Sequence, residues 1–119
     1  MSAVSPRKSI ELSEIIMEMR NTKTRLNGAI RELHKQAKAK AETERNYKIA
    51  LRMEILKLKK EGHPATLIND LAKGNEDIAA LRFERDIAKG LYDSARESMQ
   101  SLRVEASMLQ TISKYQDEL

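Results

Sequence analysis

The architecture of this chain follows from residues 55–81, which read ILKLKKEGHPATLINDLAKGNEDIAAL. Gly62 and Pro64 stand two residues apart in this stretch. Together they end a helix, because Gly favours a left-handed cap and Pro lacks the amide hydrogen that a helix needs. On both sides of this break, apolar residues recur at steps of three and four, which places them on one helix face. The pattern predicts an all-α fold: an antiparallel helical hairpin, coiled-coil-like, of two long helices with a short helix at the tip.

Each predicted long helix carries one apolar seam. The first seam consists of Leu12, Ile16, Met19, Lys23, Leu26, Ile30, Leu33, Ala37, Lys40, Glu44, Tyr47, Leu51, Ile55 and Leu58. The second consists of Ile78, Leu81, Arg85, Ala88, Tyr92, Ala95, Met99, Leu102, Ala106 and Leu109. Polar residues within such a seam set register and oligomer state at some cost in stability. A chain with only one apolar stripe per helix buries little surface, so we also expect self-association.

Capping residues divide the chain into four predicted segments. Ser9 is a good N-cap, Gly62 fits a left-handed helix end, and Asn75 is a good N-cap for the second long helix. Leu67, Ile68 and Leu71 are expected to form the apolar face of the short helix, and Gly74 to stop it. The second long helix is expected to run to about Lys114. The segments are a disordered basic arm at 1–8, long helix 1 at 9–61, a tip with a short helix at 62–75, and long helix 2 at 76–119 with a frayed C-terminus.

If Leu58 lies opposite Ile78, the register of the hairpin is fixed along its length. Large residues then meet small ones, as close packing requires. The predicted pairs are Tyr47 with Ala88, Ala37 with Met99, Ile30 with Ala106, and Glu44 with Tyr92.

Charge is divided unevenly between the two halves of the chain. Residues 1–62 contain 15 Lys and Arg against 8 Asp and Glu, whereas residues 63–119 contain 7 against 10. Opposite signs favour pairing of the arms within or between chains, although exposed pairs contribute only about 0–1 kcal/mol each. The chain has no Cys, which excludes disulfides and thiol chemistry. No apolar run is long enough to cross a bilayer and residues 1–10 lack a secretory signal, so we expect no membrane contact and a cytoplasmic location.

The sequence does not assemble a catalytic or metal-binding motif. His34 and His63 are far apart, and neither has a partner at ligand spacing. No set of residues supplies nucleophile, base and oxyanion donors. We therefore expect no enzyme activity, no cofactor and no metal.

Two surfaces are candidates for binding a protein partner. The first is the tip, with Pro64, Thr66, Asp70 and Lys73 as contact residues. The second is a polar cluster midway along the predicted helices, consisting of Glu44, Arg45, Tyr47, Arg85, Asp86 and Tyr92. The cluster has a simpler interpretation as well, because polar seam residues also specify which helices pair.

The basic first arm is a candidate for contact with nucleic acid. Its cations are Arg31, Lys35, Lys38, Lys40 and Arg45. Lys and Arg neutralise backbone phosphates without reading sequence. The alternative is an ordinary solvated helix face, since acidic residues are interspersed and no aromatic residue is available to stack on bases.

One set of residues forms a specific pattern that carries more information than the composition does. It comprises Glu44-Arg45-Asn46-Tyr47, Ala50-Leu51, Gly62, Pro64, Ile68, Asp70-Leu71-Ala72-Lys73-Gly74, Leu81-Arg82, Arg85-Asp86-Ile87-Ala88 and Tyr92. This pattern, within about Ala41 to Leu109, resembles small helical proteins encoded in phages and prophages of Gram-positive bacteria, often close to replication and recombination genes. The resemblance implies a genomic setting and carries no catalytic residues.

These observations lead to several hypotheses about function. The first is a non-enzymatic phage or prophage accessory protein, self-associating in the host cytoplasm, that binds a protein of the DNA replication or recombination machinery. The second is nucleic-acid binding through the basic first helix. The third is inhibition of a host defence nuclease, and the fourth is a virion component such as a scaffold.

Overall fold

A computed structural model describes the backbone of residues 6–118 and the side chains of residues 11–116. Three helices make up the described chain: α1 (Pro6–Lys60), α2 (Ala65–Lys73) and α3 (Glu76–Glu118). No strand occurs within residues 6–118. The predicted all-α helical hairpin with a short helix at its tip is confirmed.

The turn after α1 forms as the sequence predicts. Gly62 has a φ of 84°, in the left-handed region that favours glycine. The Gly62 amide donates to the Lys59 carbonyl at 3.1 Å, and the His63 amide donates to the Leu58 carbonyl at 3.2 Å. This pair of hydrogen bonds defines the Schellman motif, which satisfies carbonyls at the end of a helix. Three cations, Lys57, Lys59 and Lys60, lie in the last turn, where they complement the helix dipole.

The ends of α2 and the start of α3 also match the sequence prediction. Pro64 precedes α2, and Gly74 ends it with its amide bonded to the Asp70 carbonyl at 3.0 Å. The Asn75 side chain then accepts hydrogen bonds from the amides of Asp77 at 2.9 Å and Ile78 at 3.2 Å. Asn75 therefore caps α3, and Glu76 and Asp77 place negative charge in its first turn.

The outer ends of the long helices differ from the prediction. α1 begins at Pro6, so Ser9 lies inside the helix and does not cap it. Proline suits the first position of a helix, because its fixed φ is helical and its missing amide hydrogen has no acceptor there. Residues 6–8 are thus helical, and the remainder of the predicted disordered arm, residues 1–5, lies outside the described residues. α3 continues to Glu118, four residues beyond the predicted end at Lys114.

The long helices contribute to two compact units. We call residues 34–94 the tip unit, and residues 1–33 with 95–119 the terminal unit. In the tip unit, Leu58 of α1 packs with Ile68 and Ala72 of α2, and Leu51 and Ile55 pack against this cluster. The apolar side of α2 thus covers the last turns of α1.

In the terminal unit α1 and α3 also run antiparallel. The Arg25 guanidinium lies 3.3 Å from the Glu105 carboxylate, and Leu26 and Ala106 line one groove together with Met19. Two predicted seam residues of α1, Ile16 and Lys23, are exposed here, whereas the neighbouring Thr22 is buried. A lysine ammonium is costly to remove from water, so the smaller threonine takes the inward position. All predicted seam residues of α3 are buried or half-buried.

Candidate binding surfaces

The polar cluster of the tip unit is centred on Arg85. Its guanidinium carbon lies 4.5 Å from the centroid of the Tyr47 ring, a cation–π contact. Its Nη2 lies 2.9 Å from Asp86 Oδ1, and its Nε lies 3.7 Å from Glu44 Oε2. Only 23% of the Arg85 side chain is exposed. One cation on α3 therefore holds an aromatic ring and a carboxylate of α1.

The surroundings of Arg85 keep it charged. The hydrogen bond to the Asp86 carboxylate raises the pKa of the Arg85 guanidinium, and the negative charges of Asp86 and Glu44 raise it further. Partial burial acts in the opposite direction, but less strongly than that hydrogen bond. Arg85 is thus a permanent cation between two carboxylates.

A second cation–π contact lies beside the first. The Lys40 Nζ is 4.4 Å from the centroid of the Tyr92 ring, and the Lys48 Nζ is 3.3 Å from Glu44 Oε1. Glu44 is therefore shared between Lys48 of its own helix and Arg85 of α3. In the cation–π contact between Tyr47 and Arg85, α1 supplies the ring. In the contact between Lys40 and Tyr92, α1 supplies the cation.

These contacts correct the predicted register. Glu44 was expected opposite Tyr92 and Tyr47 opposite Ala88, but Tyr92 meets Lys40 and Tyr47 meets Arg85. The shift is three to four residues, about one helical turn. Its cause lies at the tip, where Leu58 packs with α2 and not with Ile78 as predicted. Each residue of α3 consequently lies opposite a residue about one turn nearer the N-terminus of α1 than predicted.

A groove of about 510 Å³ runs along the cluster. It is lined by Ala37, Lys40, Ala41, Glu44, Arg85, Lys89 and Tyr92. Five of the six residues predicted for the cluster are brought together, since Glu44, Tyr47, Asp86 and Tyr92 surround Arg85 or line its groove. Arg45 is exposed and makes none of these contacts. Two of the three cations that line the groove, Lys40 and Arg85, contact rings or carboxylates, which favours a role of the cluster in pairing α1 with α3.

The four residues predicted for contact at the tip, Pro64, Thr66, Asp70 and Lys73, are all exposed. Two leucines of α2 accompany them: Leu67 is 51% exposed and Leu71 is 44% exposed. The sequence had placed Leu67, Ile68 and Leu71 together on the apolar face of the short helix. In the structure Ile68 and Ala72, four residues apart, take the inward side and leave the leucines outside. We refer to these six exposed residues as the tip surface.

The predicted nucleic-acid contacts are only partly available. Arg31, Lys35, Lys38 and Arg45 are exposed, but Lys40 is half-buried over the Tyr92 ring. The Lys38 ammonium lies 4.0 Å from the Glu42 carboxylate of the next turn. The basic residues are thus interrupted by an acidic one on the same helix, as their sequence indicates.

Two further kinds of feature are absent from the described residues. Among them no group of His, Cys, Asp and Glu is arranged to hold a metal ion. None of the helices they form has the length and apolar character of a membrane span.

Comparison with known proteins gives no relative on which to base a function: no protein-family model, curated protein or solved structure matches this chain.

Proposed function

We propose that this chain is a non-enzymatic accessory protein, phage- or prophage-encoded, that acts by binding another protein through the tip surface. The observation that carries the proposal is the exposure of Leu67 and Leu71 on a helix whose opposite side is packed against α1. Apolar side chains in this position lose contact with water when a partner covers them. Asp70 and Lys73 beside them supply charge of both signs for orientation.

The tip surface is pre-organised for binding. α2 is held between the Gly62 turn and the Asn75 cap, and Ile68 and Ala72 anchor it to Leu58. A rigid surface loses little conformational entropy when it docks. A helix of nine residues is marginal in isolation, so this packing and the two turns are what hold α2 in place to present the two leucines.

The proposed target is a protein of the DNA replication or recombination machinery of a Gram-positive host. This part of the proposal is supported by the resemblance of residues 41–109 to small phage and prophage proteins. A phage-encoded protein with such a target would act in the cytoplasm of the host cell. Inhibition of a host defence nuclease uses the same tip surface on another target, and it is the alternative if no replication protein binds.

The test uses purified proteins and a matched control. Wild type, the double variant Leu67→Ser/Leu71→Ser, and the control Val104→Ser are compared for binding to an immobilised panel from a Gram-positive host. The panel contains a single-strand-binding protein, a replicative helicase with its loader, a primase and a strand-exchange recombinase. Val104 is an exposed apolar residue of the terminal unit, so its replacement makes a comparable surface change away from the tip.

The expected result is binding of wild type and the Val104 variant to the same panel member. Burial of two half-exposed leucines is worth about 2 kcal/mol, so the tip variant should bind about 30-fold more weakly. Circular dichroism should show equal helicity for all three proteins. Equal affinity of the tip variant and wild type would reject the tip surface, and binding to no panel member would reject the replication target.

Nucleic-acid binding through α1 is a second candidate, favoured by the exposure of Arg31, Lys35, Lys38 and Arg45. It predicts that a duplex DNA is retarded in a gel at about 50 mM salt and released as salt rises, because counterion release dominates such binding. Replacing Lys35 and Lys38 by glutamine should weaken that retardation. Unchanged DNA mobility at low salt would eliminate this candidate.

A further inference from the structure

The tip unit carries an exposed apolar face on α1 that no described residue covers. Ile49, Met53 and Leu56 follow one another at steps of four and three, the spacing of a coiled-coil seam. They are separate from the buried seam of α1 in this unit, which includes Tyr47 and Leu58. Each of the three side chains is at least 53% exposed. We call these residues the outer face of α1.

A row of cations borders this face. Arg45, Arg52 and Lys59 are spaced seven residues apart, which is two helical turns, so they form a line along the helix. All three are exposed, and within the described residues none has a carboxylate within 4.0 Å. Residues that flank a coiled-coil seam choose the partner by charge. The outer face of α1 is thus suited to an apolar helix with acidic flanks.

α3 of the same unit carries a face of that kind. Phe83, Ile87 and Leu91 recur at steps of four and are each at least 47% exposed. Glu84 and Asp93 are exposed nearby, and neither has a cation within 4.0 Å among the described residues. We call Phe83, Ile87 and Leu91 the outer face of α3.

The charges of the two helices are complementary within the tip unit. Residues 34–60 of α1 contain nine Lys and Arg against three Asp and Glu, whereas residues 76–94 of α3 contain three against five. Two α1 faces from different copies would repel one another, and so would two α3 faces. An α1 face and an α3 face attract.

We infer that the outer face of α1 in one copy binds the outer face of α3 in a second copy of this chain. Apolar burial drives the contact, and the row of cations on α1 selects the acidic α3 over another α1. The two faces differ, so the contact is heterologous: after one contact forms, one copy retains a free α3 face and the other retains a free α1 face. Assembly beyond a dimer follows as the concentration rises.

The exposed surface of the chain leaves room for this contact. The solvent-accessible surface is 9229 Å². A compact monomer of 13.6 kDa would expose about 6,600 Å² by the usual scaling. The difference is larger than the roughly 800 Å² that each partner contributes to a standard interface. The inference concerns α1 and α3 and does not depend on the target of the tip surface.

The experiment measures mass by light scattering after size exclusion, over a concentration series and at about 0.1 M salt. It uses nuclease-treated full-length wild type, Arg45→Glu/Arg52→Glu, and Glu84→Lys/Asp93→Lys. The matched control is Arg96→Glu/Arg103→Glu, which also reverses two cations seven residues apart, but on α3 of the terminal unit. Circular dichroism checks that each variant keeps the helicity of wild type.

Wild type and the control should increase in mass with concentration, from monomer to dimer and larger species. Each reversal of charge on one outer face should give a monomer over the same range, because both faces then carry the same sign. Mixing the two reversed variants should restore association, since an acidic α1 face then meets a basic α3 face. This rescue separates a charge-paired contact from loss of folding.

Three outcomes would overturn the inference. The first is a monomeric wild type at every concentration, and the second is a mass unchanged by either reversal. The third is a failure of the mixed variants to associate while both remain fully helical. In each case the tip-surface proposal would stand unaffected, because its variants and readout are different.

Discussion

Arg85 of α3 lies over the ring of Tyr47 of α1, with 4.5 Å between the guanidinium carbon and the ring centroid. Tyr47 is almost wholly buried, at 5% exposure, and Arg85 also contacts Glu44 and Asp86. One side chain thus makes a cation–π contact and two ionic contacts. Its contacts with Tyr47 and Glu44 join α3 to α1 in the tip unit, whereas Asp86 is its neighbour on α3.

Replacement of Arg85 by alanine should therefore destabilise the protein more than loss of an ordinary surface cation. Cation–π contacts at partly exposed sites are worth about 0.5–1 kcal/mol, and exposed ion pairs add at most about as much again. We expect Arg85→Ala to lower the free energy of unfolding by about 1–2 kcal/mol. The measurement is urea unfolding monitored by circular dichroism. Lys89→Ala is the control, since Lys89 lines the same groove and is exposed. Equal stability of these two variants would show that the Arg85 contacts do not support the fold.

The cap at the start of α3 gives a second prediction. The Asn75 side chain accepts hydrogen bonds from the Asp77 and Ile78 amides. Asn75→Ala leaves both amides without this acceptor, and it should lower the free energy of unfolding by about 1 kcal/mol. Asn75→Ser should retain most of the stability, because serine also caps. Asn69→Ala, an exposed change on α2, is the control and should cause no loss. Thermal unfolding of wild type and the three variants measures these differences. If Asn75→Ser were as unstable as Asn75→Ala, the Asn75 side chain would act by some means other than capping.

The ends of the helices near the tip could be predicted from sequence because each one depends on adjacent residues. Gly62 and Asn75 act on amides and carbonyls within a few positions of themselves. Their effect is decided by backbone conformation and by hydrogen bonds that close over one turn. The identity and order of α1, α2 and α3 follow from the same local chemistry.

The register between α1 and α3 could not be predicted in the same way, because it depends on contacts distant in sequence. Leu58 can pack against Ile78 or against α2 with the same apolar pattern, and the structure shows that Ile68 and Ala72 take this place. The sequence also does not decide whether Ile15 or Ile16 faces α3, because two adjacent residues of a helix cannot both do so. Only the error at Lys23 could have been recognised from sequence. Burial of its ammonium is unfavourable, and its neighbour Thr22 is smaller.

For the candidate binding surfaces, too, the sequence predicted which residues take part but not which residues they contact. The sequence identified the residues of the polar cluster, but it paired Glu44 with Tyr92, where Lys40 lies instead. At the tip it identified the exposed polar residues and placed Leu67 and Leu71 on the buried side. Leu67 and Leu71 are four residues apart, as Ile68 and Ala72 are, so spacing alone could not show which pair faces α1.

Two glycines should respond in opposite directions to replacement by alanine. Gly62 has a φ of 84°, so an alanine there takes a strained backbone conformation even though nothing lies within 4 Å of the added carbon. We expect Gly62→Ala to lower the free energy of unfolding by about 1 kcal/mol. Gly90 lies inside α3 and also has open space at the Cβ position. Gly90→Ala should raise the free energy of unfolding by about 1 kcal/mol, because alanine loses less backbone entropy in a helix.

Chemical unfolding of both glycine variants beside wild type provides the measurement. Each variant is the other's control, since the chemical change is the same and only the backbone conformation differs. If Gly62→Ala were as stable as Gly90→Ala, the left-handed turn after α1 would have to be absent in solution.

The buried threonine of the terminal unit gives the last prediction. Thr22 is only 1% exposed, and its Oγ1 has no hydrogen-bond partner. A buried hydroxyl without a partner costs about 1–3 kcal/mol in lost hydration, and valine has nearly the same shape without the hydroxyl. Thr22→Val should therefore raise the free energy of unfolding by about 1 kcal/mol. Thr24→Val is the control, because the exposed Thr24 hydroxyl donates to the Arg20 carbonyl at 3.1 Å and its removal should bring no gain. Urea unfolding of Thr22→Val, Thr24→Val and wild type gives the measurement. If Thr22→Val were no more stable than wild type, the Thr22 hydroxyl would have a hydrogen-bond partner in solution.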